Sequence, residues 1–482
     1  MIKIKNYTNG KLVDTQKSEE IKIYNPSTGK IYATCPESNS IDLNSAIKSA
    51  KKAFPGWSNL SYKKRGRFLF DIADLLKKNS NEFAKYESID NGKPLSLSKK
   101  LDIPRAIDNL RFFASIINSN ESNAYHMENI GINYTLKQPI GIVGTISPWN
   151  LPLYLFTWKI APALVAGNCV IAKPSEITPM TAYLFSKLCI KVGLPKGVLN
   201  ILHGQGSVIG SKIVKHKDIK AISFTGGTTT GEEIARECSK TFKKLNLEMG
   251  GKNPVLVFDD CNYSKMIKNV IKSSFLNQGQ ICLAGSRIYV QKKIYKKFKN
   301  DFIKSVKKIK TGDPFDDNSD QGAIVSKNHL DKINSYIEIA KNEGCKILIG
   351  GKRIKLNSDC ENGWFFSPTV IENFNNKSKV NQEEIFDPIV TLNSFDTDKE
   401  VVEFANDNSY GLASIIWTQN INRAHRIAHE IKSGIVWINC WLERDLRTPF
   451  GGFKKSGYGK EGGVHALDFF TQEKNICIKY YD

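Results

Sequence analysis

From residue 140 onward, short apolar runs alternate with stretches of helical spacing. The runs at 140–146, 168–172, 197–202 and 221–224 have strand length, and the stretches at 179–192 and 207–215 repeat their apolar positions every three or four residues. That alternation predicts an α/β fold, a parallel sheet covered by helices on both faces. Ligands bind such sheets beyond the carboxyl ends of the strands, where Trp149, Lys173, Gly206 and Gly226 fall. A second alternating block opens at Pro254-Val-Leu-Val-Phe258 and runs to about Phe450, with amphipathic helices at 292–308 and 326–343. Ahead of both blocks, short strands and turns lead into helical periodicity at 43–54, 62–78 and 98–118. Residues 127–138 turn to a strand pattern, and the closing 475–481 is a strand with no sequence-adjacent partner.

At 482 residues the chain exceeds one ordinary core, which predicts two or three domains. Its 41% hydrophobic and 24% charged residues are those of a soluble globular protein. No apolar stretch reaches membrane-spanning length and the first residues lack a signal-peptide core, so the expected location is cytoplasmic. The ten cysteines form no Cys-x-x-Cys. In a reducing compartment they are free thiols, and no metal site is expected. A formal net charge of +21 would suit a polyanion. The lysines are interspersed with apolar positions along helices, however, and no nucleic-acid recognition motif accompanies them. The charge therefore predicts a general attraction for anionic substrates, with neither nucleic acid nor membrane as a partner.

The stretch Phe275-Leu-Asn-Gln-Gly-Gln-Ile-Cys282-Leu-Ala-Gly-Ser-Arg287 places a cysteine after a Gly-bearing polar bend. A substrate can reach a cysteine on such a bend. Backbone N–H groups there and Arg287 nearby would favour the thiolate, the form that attacks electrophiles. Read alone, the residue also fits a buried structural thiol. Two glycine-rich segments are candidates for phosphate contacts. In Gly204-Gln-Gly206-Ser-Val-Ile-Gly210 the third glycine comes one residue late for a dinucleotide fingerprint, and Gly226-Gly-Thr-Thr-Thr-Gly231 lacks the lysine of a P-loop. A helix starting at the second would still present free N–H groups to a pyrophosphate; a plain loop with a threonine cap is the alternative.

The cysteine stretch resembles the nucleophile motif of the aldehyde dehydrogenase superfamily, and Leu247-Glu248-Met249-Gly250-Gly251-Lys252 resembles its general-base motif. Ser147-Pro148-Trp149-Asn150, Lys173-Pro174-Ser175-Glu176, Phe224-Thr225-Gly226-Gly227, Glu383-Glu384-Ile385-Phe386 and Pro449-Phe450-Gly451-Gly452 match further motifs in the family's order. The resemblance implies a Rossmann-like NAD-binding domain (1–118 and 140–248), an α/β catalytic domain (249–452) and a small β oligomerisation arm (119–139 and 465–482). Through that arm subunits would form a homodimer or homotetramer; an edge strand of its own subunit is the alternative for the closing segment. The implied cofactor is NAD, bound along Ile146, Trp149, Gly206, Gly226 and Gly227. Lys173 and Glu176 match contacts to the adenosine ribose, Glu384 one to the nicotinamide ribose, and Phe386 a residue beside the nicotinamide ring. Glu176 would accept from a free 2′-hydroxyl and repel a 2′-phosphate, although Lys173 and Glu176 also fit an ordinary i, i+3 surface pair. Gly227, usually serine, and Asp387, usually glycine, depart from the family.

The implied chemistry is oxidation of an aldehyde through a cysteine adduct. Cys282 is the nucleophile, the Asn150 amide and the Cys282 backbone N–H steady the oxyanion, and Glu248 activates the hydrolytic water. An apolar setting between Leu247 and Met249 would raise the Glu248 pKa. Taken locally, Asn150 is also a turn residue and Glu248 a solvated carboxylate. The segment from Trp437 to Gly452 resembles semialdehyde dehydrogenases acting on 2-hydroxymuconate or 2-aminomuconate semialdehyde, with Arg444 at a position that tends to be apolar in enzymes for plain aldehydes. Arg105 matches a second tunnel position, and Trp158, Tyr154 and Phe450 match its lining. Two guanidinium groups at a tunnel mouth can bind one carboxylate; ion pairs with Asp102 or Asp445 are the other reading. The expected substrate is 2-hydroxymuconate semialdehyde. The alternatives are the 2-amino compound, another carboxylated semialdehyde, or a non-catalytic protein of the same fold.

Overall fold

The computed structural model describes residues 1–15, 19–117 and 121–481. Its first large sheet has eight strands, in the order Gly457–Tyr458, Lys244–Glu248, Ile219–Thr225, Ile142–Ile146, Cys169–Lys173, Leu199–Ile201, Asn6–Thr8 and Lys11–Val13. The strands from Lys244–Glu248 to Leu199–Ile201 run parallel. Ile142–Ile146 and Cys169–Lys173 are buried at every position, as expected of strands with helices on both faces. The helix Pro152–Val165 is buried along its whole length and starts on a proline, which suits a first turn that needs no intrahelical N–H. From Ile142–Ile146 the chain passes to Cys169–Lys173 and Leu199–Ile201 on one side, then to Ile219–Thr225 and Lys244–Glu248 on the other. A crevice opens where the order reverses, at the carboxyl ends of Ile142–Ile146 and Ile219–Thr225.

The second sheet has seven strands, in the order Lys346–Ile349, Thr369–Glu372, Ile389–Phe395, Gly285–Gln291, Asn253–Val257, Ala413–Trp417 and Ile435–Ile438. All but the first run parallel. Lys244–Glu248 and Asn253–Val257 are neighbours in sequence yet belong to different sheets, so the link between them, which begins just after Glu248, joins the two. Asn253 is in register with Gly285, which brings the cysteine bend beside that link. A third, antiparallel sheet joins Ala124–Met127, Gly131–Pro139 and Thr471–Lys479, with Thr471 opposite Pro139 and Lys479 opposite Gly131.

The strand pattern at 127–138 is in fact a hairpin, Ala124–Met127 and Gly131–Pro139, with Asn129 left-handed at φ 57° in the turn. The helical pattern from residue 98 opens on a π-helical turn, Ser98–Asp102, before the α-helix Ile103–Ile116. In that turn Asp102 is fully buried against Lys93 at 2.9 Å. Helix Ser80–Asn91 has no clean apolar period because Glu87, Ser88, Asp90 and Asn91 are buried with its apolar residues. Asn118, residues 119–120 and Asp482, the outer limits of the expected helix and arm, lie outside the described residues. Among the described residues no helix is long and apolar enough to cross a membrane, and no three or more His, Cys, Asp or Glu side chains gather as they would around a metal ion.

Candidate active site

The crevice is a cleft of about 720 Å³ whose wall includes Ile146, Trp149, Lys173, Glu176, Gly206, Gly226 and Gly227. Lys173, the last residue of its strand, is buried and pairs with Glu176 at 2.5 Å, so the two are part of the cleft rather than a helical surface pair. Burial would push the Glu176 carboxyl up, but Lys173 and the Gly206 N–H hold it below the usual carboxylate range. The helix Thr228–Ser239 begins after Gly227 without a side-chain cap, and a Cβ at Gly227 would meet nothing within 4 Å. An uncapped helix start with room before it suits an anion. Glu384 and Phe386 border a separate void of about 20 Å³ beside Gly279 and Ile281. Trp149 connects the two spaces, meeting the Phe386 ring edge-on at 5.3 Å.

Cys282 follows a short turn, Leu276–Gly279, in which Asn277 (φ 53°), Gln278 (φ 55°) and Gly279 (φ 70°) are all left-handed. Side chains rarely adopt that conformation unaided. Here Asn277 Nδ2 donates to Asn150 O (3.2 Å) and Gln280 O (3.1 Å), and Gln278 Nε2 to Ala323 O (2.9 Å). At Gly279 a Cβ would lie 2.2 Å from Asp387 O. Beyond the bend, Asn253 Nδ2 donates to Cys282 O (2.7 Å) and Ala284 O (2.8 Å), while its Oδ1 accepts from Ala413 N. Cys282 itself is half-buried. Burial, then the Glu384 and Glu248 carboxyls, push its thiol up to about 12 against the pull of Arg444. Arg287 has no part in this. Its guanidinium is buried and occupied by the carbonyls of Lys252, Phe404 and Ala405, so the expectation that it favours the thiolate is wrong.

Asn150 is buried on the loop after Ile142–Ile146. Its carbonyl accepts from Lys93 Nζ (2.9 Å), Asn277 Nδ2 (3.2 Å) and Asn91 Nδ2 (3.4 Å). Its own Nδ2 donates to Gln280 O at 3.0 Å, tying the amide to the cysteine bend.

Glu248 ends its strand with both carboxyl oxygens buried and without a hydrogen bond. Leu247 is on the opposite face of that strand, because side chains alternate, so sequence neighbours do not supply the apolar setting. Oε1 lies against Gly451, where a Cβ would approach to 2.6 Å. Burial, then the Glu461 carboxyl, push Glu248 well above the carboxylate range, opposed by Lys159, Lys460 and Arg444. Lys159 Nζ in turn holds Glu461 Oε1 at 2.8 Å and Ser223 Oγ at 3.1 Å.

The Arg444 guanidinium lies over the rings of Phe450 (3.9 Å) and Trp158 (4.4 Å), and Nη1 donates to the Tyr154 hydroxyl at 2.7 Å. Its Nε and Nη2 are buried without partners. Arg105, half-buried on Ile103–Ile116, approaches the Tyr154 ring at 5.8 Å. The acids adjacent in sequence are taken, Asp102 by Lys93 and Asp445 by Arg447. Two arginines therefore converge on Tyr154. Leaving a buried donor unpaired costs about 1–3 kcal/mol, so Arg444 Nε and Nη2 have capacity for a further acceptor.

Cys282, Glu248 and Arg444 act on one another electrostatically, and Asn150 is bonded into the same bend. Sequence reasoning misses Asn91, Lys93, Lys159, Asn253 and Glu461. For Lys159 there is a signal, since it is the one charged residue in the buried helix Pro152–Val165. For the others the partners are too distant in sequence to leave one.

The chain belongs to the aldehyde dehydrogenase family, whose model matches residues 12–476. It is similar to the 2-aminomuconic semialdehyde dehydrogenase of Homo sapiens, 46% identical over 100% of this chain and 99% of that one. It is also similar to a 2-hydroxymuconic semialdehyde dehydrogenase of a Pseudomonas species, 39% identical over 99% of this chain and 100% of the relative. Among solved structures, the NAD+ complex of an aldehyde dehydrogenase from Bacillus cereus matches with a TM-score of 0.96 at 35% identity, covering 99% of this chain and 97% of that one.

Proposed function

We propose that the protein oxidises the aldehyde of a short unsaturated semialdehyde to a carboxylate, using NAD, while Arg444 and Arg105 hold the substrate's own carboxylate. The observation that carries this is Arg444, stacked between two aromatic rings beside Cys282 with two buried donors unpartnered. The substrate in this reading is 2-hydroxymuconate semialdehyde. A second reading, the 2-amino compound, is favoured by the higher identity of the human relative, 46% against 39%.

NAD, when bound, supplies the hydride acceptor. Glu176 and Lys173 would hold its adenosine ribose, Gly226, Gly227 and the uncapped helix start its pyrophosphate, and Glu384 and Phe386 its nicotinamide end. The proposed division follows: residues 1–118 and 140–248 bind the dinucleotide, 249–452 carry the chemistry, and the third sheet bridges subunits. Cys282 is a thiol at neutral pH, so a base must take its proton, and the raised pKa of Glu248 matches that task. Cys282 Sγ bonds the aldehyde carbon, and the alkoxide accepts from the second N–H of the Asn150 amide and from the Cys282 backbone. Loss of hydride leaves a thioester on Cys282. Glu248, having passed the Cys282 proton on to solvent, then removes a proton from water as the water oxygen attacks the thioester carbon. The C–S bond breaks, releasing the acid.

A cytoplasmic homo-oligomer completes the reading. All ten cysteines are free, as a reducing compartment would keep them. Leu136 and Ile478 stand exposed on the third sheet, as an interface would require.

The test is Arg444→Ala assayed on both muconate semialdehydes and on an uncharged aldehyde. Charge-assisted hydrogen bonds are worth about 1.5–3 kcal/mol, so kcat/KM should fall roughly 10- to 100-fold further on the acids than on the uncharged aldehyde. The uncharged aldehyde registers only the loss of the Arg444 charge beside Cys282 and Glu248. Full efficiency on the acids would overturn the substrate assignment.

A further inference from the structure

One helix meets three carbonyls of the loop carrying Glu384 and Phe386. Lys332 Nζ donates to the carbonyls of Glu384 and Ile385, both at 3.2 Å, and His329 Nε2 lies 3.1 Å from Phe386 O. Both side chains project from Lys327–Asn342, one turn apart, so three consecutive loop carbonyls meet two basic groups. The loop needs holding, because Phe386 sits at φ 70°, a left-handed conformation unfavourable for a side chain. His329 also meets the Trp149 ring edge-on at 5.1 Å, and Trp149 meets Phe386. Asp387, where the family usually has glycine, has a fully buried carboxyl whose Oδ1 lies 3.0 Å from His329 Nε2. One N–H cannot point at both Phe386 O and Asp387, and neither Asp387 oxygen makes an aligned hydrogen bond. The Asp387 contact is therefore mainly charge on charge.

We propose that Asp387 is a positioning residue for the dinucleotide: it keeps His329 protonated, and the protonated ring fixes the Phe386 loop against Trp149. The proposal rests on the reading of Glu384 and Phe386 as nicotinamide-end contacts. A neutral imidazole can turn a lone pair toward Phe386 O, whereas imidazolium can only donate there. Burial would lower His329, but Asp387 and the Phe386 carbonyl raise it above its ordinary value. The other charged groups facing the pair are Lys332 on the same helix, Lys252 from the link between the two sheets, and Glu384. Burial also raises Asp387, so the charged pair exists between the two titrations. The clamp holds where Asp387 is ionised and His329 still protonated, and it opens as pH rises through the raised histidine value.

Two titrations test this on the full chain and on Asp387→Asn, which keeps the shape and removes the charge. NMR of carbon-labelled histidine in the cofactor-free protein, assigned with His329→Gln, reads the ring midpoint. NADH fluorescence reads Kd from about pH 6 to about pH 9. The expected result is a His329 midpoint that drops by roughly one unit in the variant. With it, a Kd that rises about threefold across the wild-type midpoint should have its inflection moved down in the variant. Asp387→Gly, the usual family residue, should give the same shift should the asparagine variant fold poorly. An unmoved midpoint, or a wild-type Kd flat with pH, overturns the proposal. NADH affinity indifferent to Glu384→Ala overturns the cofactor reading itself, and this inference with it.

Discussion

A thiol pushed up to about 12 carries almost no thiolate at neutral pH, so Cys282 reacts only as fast as a neighbour removes its proton. In the proposed mechanism Glu248 is that neighbour, and its own raised pKa would set the pH dependence. A base works deprotonated, so kcat/KM should fall as pH drops through the raised Glu248 value, from an edge well above the ordinary carboxylate range. A pH profile whose acid edge lies at that ordinary range would contradict the assignment. In the same mechanism Asn150 serves the oxyanion, so Asn150→Ala should cost about 10²–10³ in kcat while leaving iodoacetamide labelling of Cys282 unchanged. At this scale much was legible in the chain: Cys282, Glu248 and Asn150 sit in motifs, and the structure brings them together. Arg287 shows where residue-level reading stops. It is five positions from Cys282, yet it sits in a strand, buried, with its donors taken by three carbonyls.

Elements hold these residues through contacts between segments far apart in sequence. The glycine in the cysteine bend was legible as a turn signal. The left-handed run of Asn277, Gln278 and Gly279 was not, because its supports are Asn150 and Ala323, more than a hundred and more than forty residues away. Gly279→Ala would place a Cβ 2.2 Å from Asp387 O at a positive φ. It should lower stability by at least about 1–3 kcal/mol, measured by denaturant unfolding; an unchanged midpoint would mean the bend relaxes freely. Asn253→Ala removes two donors from the carbonyls flanking the nucleophile and leaves Ala413 N unpaired. Its cost should also reach about 1–3 kcal/mol, with a larger fractional loss in kcat than in KM. The π-helical turn at Ser98–Asp102, which ends on the buried partner of Lys93, was equally hidden.

For the whole molecule, the alternation of strand and helix foretold the sheets, while the link after Glu248 that joins them could be seen only once the two sheets were distinct. That link sets Glu248 on the border of the first sheet and Cys282 on the border of the second. The closing strand Thr471–Lys479 spans the full register of Gly131–Pro139, with most of its residues exposed. Deleting residues 471–482 should reduce the assembly seen by light scattering to a smaller species; an unchanged mass would remove the arm from the interface. The account as a whole depends on a covalent adduct formed at Cys282 and resolved by Glu248. The most direct measurement is rapid mixing of the Glu248→Gln enzyme with NAD and excess muconate semialdehyde, followed for long enough that solvent can remove the Cys282 proton in place of Glu248. The account predicts a burst of NADH close to one per active site followed by a stall, with acyl-Cys282 found by mass spectrometry; sustained wild-type turnover, or a burst surviving in Cys282→Ala, would contradict it.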